Sequence, residues 1–232
     1  MLAAIRDAIE AQGLAYRGAF HPDVDDMLSW ARTLVLLGFD GRQGWDAFAA
    51  SSEARDGEPN GLDRWSRRVV GALATAHEAT ALFPFNGPPW LPFQRWAQKA
   101  EPLHPSPLGM LVHPDWGLWH SWRGALAFTT RFDLPPPDIR SGPCETCVPK
   151  PCLSACPVAA FGPAGYDVKR CVDHLDRSRG ADCMDGCPVR RACPVGRAHR
   201  YSAQQAGFHM RAFRGAQRRD APSIRPPIDD AL

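Results

Sequence analysis

Cysteine is absent from residues 1–143 and again from residue 194 to the end of the 232-residue chain. Whatever thiol chemistry the protein performs is therefore confined to one segment. Other absences narrow the field. No stretch approaches the roughly 18 consecutive apolar residues of a membrane span. The first ten residues, Met1 to Glu10, lack the positive start and apolar run of a secretory signal. Gly41 to Gly44 is not followed by Gly-Lys-Ser/Thr, so it is no phosphate loop. The net charge of +2 does not indicate nucleic acid. These readings lead to the expectation of a cytoplasmic chain with no membrane segment. In that compartment thiols stay reduced, and clustered cysteines bind metal more often than they form disulfides.

All eight cysteines lie between Cys144 and Cys193. They read Cys144-x2-Cys147-x4-Cys152-x3-Cys156-Pro157, then Cys171 alone, then Cys183-x3-Cys187-x5-Cys193-Pro194. Eight thiols make two sets of four, each ending in Cys-Pro, which is the ligand count of two [4Fe–4S] clusters. In the bacterial two-cluster pattern the fourth cysteine of a run serves the other cluster. Applied here, Cys144, Cys147, Cys152 and Cys193 hold one cluster, and Cys156, Cys171, Cys183 and Cys187 hold the second, with none left over. Because Cys187-Pro188 is another Cys-Pro step, the roles of Cys187 and Cys193 are open to exchange. The spacing between Cys147 and Cys152, and from Cys171 to Cys183, exceeds that of a minimal ferredoxin. The rival occupant is structural zinc, which also takes four thiolates. Zinc ribbons usually carry two well-separated Cys-x2-Cys pairs, and this chain lacks them.

Charge and periodicity divide the rest. Residues 1–140 carry 13 basic and 16 acidic side chains, residues 141–200 carry 9 and 6, and residues 201–232 carry 5 and 3. Basic neighbours suit anionic cluster–thiolate units. Helical spacing marks Leu2 to Gln12, stopped by Gly13, and Leu62 to His77, read as the longest helix. Asp23 to Ala31, Leu91 to Ala100 and Tyr201 to Phe213 are further helices. Strands are expected at Leu14–Phe20, at Thr33–Phe39 as an apolar run buried on both faces, and at Thr80–Phe85, Leu108–Val112 and Ala125–Thr130. Residues 40–60 read as an exposed loop. Three prolines in Asp133–Asp138 mark a boundary. The expected fold is α+β, or α/β, with a mixed α/β sheet domain over 1–135. A ferredoxin-like double-cluster domain over 140–214 and a loose tail over 215–232 follow.

At the cysteines the chain resembles a known family. Cys-x2-Cys, Cys-x3-Cys-Pro, Lys169-Arg170-Cys171-Val172 and the closing Cys-Pro resemble the double-cluster domain of epoxyqueuosine reductases and reductive dehalogenases. Upstream, Ala31 to Leu36, Arg95 to Ala100 and Leu111 to Gly117 followed by Gly124 to Leu126 are similar to segments of the same family. The match spans about residues 30–200. It departs at two places. The family's Gly-x-Gly-Trp-x-Gly-Lys loop is replaced by Pro102 to Gly109. Where the family has an acidic proton donor, this chain has Asn86-Gly87-Pro88-Pro89, and an amide does not deliver a proton at neutral pH. The resemblance implies the scaffold and an electron-carrying domain, not epoxyqueuosine reduction.

The aromatic segment His113 to Trp122 has two readings. Trp116, Trp119, His120 and Trp122 form a wall over a flat cofactor such as cobalamin, or they form a hydrophobic seam between domains. His104 and His120 are weighed as ligands of a metal or a corrinoid cobalt, and His174 and His199 as substitutes for a thiolate. Arg190, Arg191 and Arg197 either neutralise cluster charge or face an acidic partner. The functional expectation is ferredoxin-type electron transfer through two [4Fe–4S] clusters to a redox partner protein. The alternatives are a corrinoid-dependent or other cofactor-dependent reductase using the clusters as an internal relay, and a factor in which clusters or zinc are structural.

Overall fold

The computed structural model describes residues 1–42, 44–162, 164–177 and 180–220. Its centre is β2 (Thr33–Asp40), in which every residue but the last is buried. Successive side chains of a strand point to opposite faces. Val35, Leu37 and Phe39 enter one core and Leu34 and Leu36 the other. That is why the run reads as apolar without alternation. The first core is closed by α1 (Leu2–Ala11), through Ile5 and Ile9, and by α3 (Gly61–Ala76), through Trp65, Val69 and Leu73. The second is closed by α4 (Phe93–Ala100), through Phe93, Trp96 and Ala97.

The sheet runs in the order β1-β2-β6-β3, with β1 (Ala15–Phe20), β3 (Thr80–Leu82) and β6 (His120–Phe128) all antiparallel to their neighbours. An antiparallel sheet with helices on both faces is α+β, so the α/β alternative falls away. Between the Leu37–Gly124 and Gly38–Trp122 pairs the register shifts, leaving Arg123 as the extra residue of a bulge. A Cβ on Gly38 would lie 1.9 Å from the Ser121 carbonyl oxygen. Only glycine fits this approach.

Several elements differ from the sequence reading. The stretch 40–60 is not all loop: α2 (Trp45–Ala49) turns Trp45 and Phe48 into the first core. The segment after Asp23 shortens to a 3-10 turn, Val24–Asp26, with Asp23 as its cap. The strand expected over Leu108–Val112 shrinks to β5 (Leu111–Val112), paired with β4 (His104–Pro105). The longest helix is α10 (Ala203–Asp220), 18 residues against 16 for α3. It carries the chain through residues 215–220, which were read as tail, while 221–232 lie outside the described residues. Phe208 of α10 packs edge-on against Trp45 and Phe48, at 5.3 and 5.5 Å. Through Phe208, α10 thus returns to the first core.

The cysteine segment is built from short pieces. These are α5 (Pro143–Thr146), α6 (Pro151–Ser154), the β7–β8 hairpin (Phe161–Gly162 and Gly165–Tyr166), α7 (Val168–Leu175), α8 (Ala181–Met184) and α9 (Pro188–Ala192). Pro143, Pro151 and Pro188 each open a helix, where a missing N–H costs nothing and the fixed φ suits the turn. Each proline is next to a cysteine, so each one-turn helix fixes the direction of a thiol.

Candidate functional site

Five of the eight thiols gather in one apolar cluster that ties the stretch from Leu108 to Leu118 to the cysteine segment. Cys193 and Val189 are buried with Leu108, Val112 and Leu118, and Cys144, Cys152, Cys156 and Cys187 pack against them. All eight cysteines are free. Their mutual influence separates them into two groups. Burial pushes the Cys144 thiol up, and the nearby sulfurs of Cys193, Cys152 and Cys147 push it further. Cys152 is raised by burial and then by Cys193 and Cys147. In the other group burial raises Cys171, with Cys187 and Cys156 adding to it. Cys183 is pushed up to about 11 by burial, with Cys187, Cys171 and Cys156 as neighbours. Cys156 and Cys193 thus each lie with the group that is remote in sequence, and Cys187 lies with Cys171 and Cys183.

Local hydrogen bonds hold these pieces. The Ala160 amide donates to Cys156 Sγ at 3.3 Å. The Tyr166 phenol is a hydrogen-bond partner of Cys171, and its ring stacks on Phe161 at 4.4 Å. Asp167 caps α7 by accepting from the Arg170 amide at 2.9 Å. Among the described residues, no group of three His, Cys, Asp or Glu side chains is suited to hold a single metal ion. A zinc–sulfur bond of about 2.3 Å draws its thiolates to within about 4 Å of one another. Within each group the thiols are close enough to feel one another's charge.

The aromatic segment divides. Trp116 stacks on His113 at 4.0 Å, and the Arg17 guanidinium lies 4.3 Å from its ring centre. His113 accepts from the amides of Asp115 and Trp116 through Nδ1, and burial depresses its pKa to about 4. Trp119 is buried, with Tyr201 at 5.3 Å and the Arg190 guanidinium at 4.7 Å. His120 and Trp122 face a cavity of about 310 Å³, which Trp116 and Trp119 do not line. Of the other histidines weighed, His104 pairs with the Arg140 carbonyl at 2.9 Å. His174 sits in the last turn of α7, and His199 in the 3-10 turn Arg197–His199. Arg190, half-buried, donates to the Leu118 carbonyl. Ser121 and His209 also line the cavity and have no signal in the sequence, because β6 and α10 meet only in the folded chain.

Among solved structures the chain is similar to epoxyqueuosine reductases. The Bacillus subtilis enzyme matches at 14% identity and a TM-score of 0.49, covering 87% of this chain and 68% of that one. The Streptococcus thermophilus enzyme matches at 12% and 0.49, covering 85% and 66%. An epoxyqueuosine reductase with an epoxyqueuosine-modified tRNA stem loop matches at 15% and 0.48, covering 87% and 68%. TM-scores below 0.5 carry no conclusion about activity. No family model and no curated protein matches the chain. No helix among the described residues is long and apolar enough to cross a membrane.

Proposed function

We propose that this chain is an iron–sulfur protein that carries electrons through two [4Fe–4S] clusters. The observation that supports it is the sorting of eight free thiols into two groups of four, each completed by a cysteine from the distant run. Cys144, Cys147, Cys152 and Cys193 would hold one cluster, and Cys156, Cys171, Cys183 and Cys187 the other. Thiols massed in this way oppose one another's ionisation, as the upward shifts record. A bound cationic centre reverses that balance and takes them as thiolates. When bound, each cluster supplies one-electron redox chemistry.

The chain's own residues tune and insulate the site. The Ala160 amide and the Tyr166 hydroxyl donate toward sulfur in the second group, which stabilises negative charge there. Both groups share one apolar cluster, so an electron path between them stays inside the protein. Val148 and Leu153 are exposed apolar side chains beside Cys147 and Cys152. They offer a contact for a redox partner protein in the cytoplasm. The cavity at His120 and Trp122 is too small to enclose a corrinoid, so nothing in the geometry favours a corrinoid-dependent reductase.

Anaerobic expression followed by iron and acid-labile sulfide assay is expected to give about eight of each per chain, with an EPR signal from two interacting clusters after reduction. Stoichiometric zinc with no iron is the result that removes the reading.

A further inference from the structure

Between Cys156 and Cys171 the chain folds back once, through β7 and β8. Phe161 pairs with Tyr166 and Gly162 with Gly165. The Asp167 amide donates to the Ala160 carbonyl at 2.8 Å, which carries the pairing to the foot of the hairpin. Both legs reach a thiol. On the first, the Ala160 amide donates to Cys156 Sγ at 3.3 Å. On the second, Asp167 accepts from the Arg170 amide at 2.9 Å through its side chain and from the Cys171 amide at 3.2 Å through its carbonyl. Tyr166 precedes that cap, and its hydroxyl is hydrogen-bonded to Cys171. One hairpin thus holds two thiols of the second group, one on either side of it in sequence.

The Tyr166 ring is held by stacking. Phe161 lies parallel to it, with centroids 4.4 Å and planes 2° apart, and Phe213 of α10 stacks at 6.4 Å and 26°. A phenylalanine at 166 would keep both contacts, so packing does not account for the hydroxyl. A thiolate sulfur only accepts, which makes the phenol the donor. Its effect on Cys171 has that sign: it favours the thiolate, while burial opposes it. The amides of Ala160, Cys152 and Leu153, which also donate toward sulfur, belong to the backbone. Tyr166 is a donor that a side-chain substitution can remove.

We propose that Tyr166 sets the reduction potential of the second cluster: its hydroxyl, aimed at Cys171 by the hairpin and the ring stack, makes that cluster easier to reduce than phenylalanine there would. The proposal rests on the electron-carrier reading and adds to it the residue that makes the two groups unequal. The physical reason is charge. Reduction adds negative charge that the ligating sulfurs share, and a donor to sulfur is worth more to the more negative state. Removing the donor therefore lowers the potential, and strengthening it raises the potential.

The test is a redox titration of the anaerobically prepared full chain, followed by EPR, beside Tyr166→Phe and beside protein carrying 3-fluorotyrosine at position 166 alone. The parent is expected to show two one-electron steps. In Tyr166→Phe one step is expected to move down, its equilibrium constant for reduction falling about threefold or more, which at 59 mV per tenfold is about 30 mV or more. The other step stays. The ring fluorine makes the hydroxyl a stronger donor, so in that protein the same step is expected to move up. Iron-replete Tyr166→Phe with both steps unchanged, or with both shifted equally, overturns the proposal. So does a fluorotyrosine protein whose step stays or moves down. Should Tyr166→Phe lose its second cluster, the fluorotyrosine protein decides alone, since it differs from the parent by one ring hydrogen. A parent without iron is a different result, which removes the electron-carrier reading and this proposal with it.

Discussion

An Arg17→Met variant is expected to lose about 3–5 kcal/mol of unfolding free energy. Arg17 is fully buried in β1, and Glu101, its partner at the end of α4, is 8% exposed. The pair is bidentate, Nε to Oε1 at 2.7 Å and a terminal nitrogen to Oε2 at 2.8 Å. The other terminal nitrogen donates to the Phe39 carbonyl at 2.6 Å, and the guanidinium lies over Trp116. One side chain thus joins β1, β2, α4 and the turn that leads into β6. Methionine keeps much of the volume and removes the cation, which leaves a buried carboxylate unpaired. That penalty, more than the lost attraction, sets the size of the effect. The double variant Arg17→Met/Glu101→Met removes both charges and is expected to recover most of the loss. Urea unfolding of the three proteins measures it. A single variant within about 1 kcal/mol of the parent contradicts this account of the pair.

Gly196→Ala is expected to cost about 2–5 kcal/mol and to loosen Cys193. Gly196 has a φ of +68°, and a Cβ there would lie 2.3 Å from both the carbonyl carbon and oxygen of Trp116. The approach is mutual, since a Cβ on Gly117 would lie 2.3 Å from the Val195 carbonyl oxygen. Two backbones touch at this point, one following the Trp116 turn and one following Cys193-Pro194. The left-handed conformation alone costs alanine about 1–2 kcal/mol, and the overlap adds about 1–3 kcal/mol because no flexible side-chain end is there to yield. Gly57→Ala is the control. Its φ is +76°, and nothing lies within 4 Å of the added carbon, so only the conformational cost applies. Equal losses in the two variants, by urea unfolding, contradict the close approach.

Much of the frame was legible because it is local. The apolar run of β2 and the spacing of α3 are written in contiguous residues. The elements that were misread depend on distant partners. Trp45 and Phe48 sit among glycines and charges and carry no helical pattern of their own. They fold inward because Trp65 and Phe208 arrive from elsewhere in the chain. The C-terminal helix was set too short because its polar face dominates past Phe213, while the sequence gives no view of the first core on which Phe208 docks. The cysteine spacing exposed the thiols as a set of eight. It left the roles of Cys187 and Cys193 open; Cys187 is among the charges that Cys183 feels, and Cys193 among those that Cys144 and Cys152 feel. The cavity beside Arg190 was beyond reach, since its walls come from three elements far apart in sequence.

The central claim is that the two runs of cysteine exchange their last members. Cys156 follows Cys152 by four residues, yet its neighbours are Cys171, Cys183 and Cys187. Iron content of anaerobically prepared double variants reads this directly. With crossed groups, Cys156→Ala/Cys171→Ala damages one cluster and retains about four of about eight iron atoms, whereas Cys152→Ala/Cys156→Ala damages both and retains almost none. The reverse pattern, iron kept by Cys152→Ala/Cys156→Ala and lost by Cys156→Ala/Cys171→Ala, contradicts it.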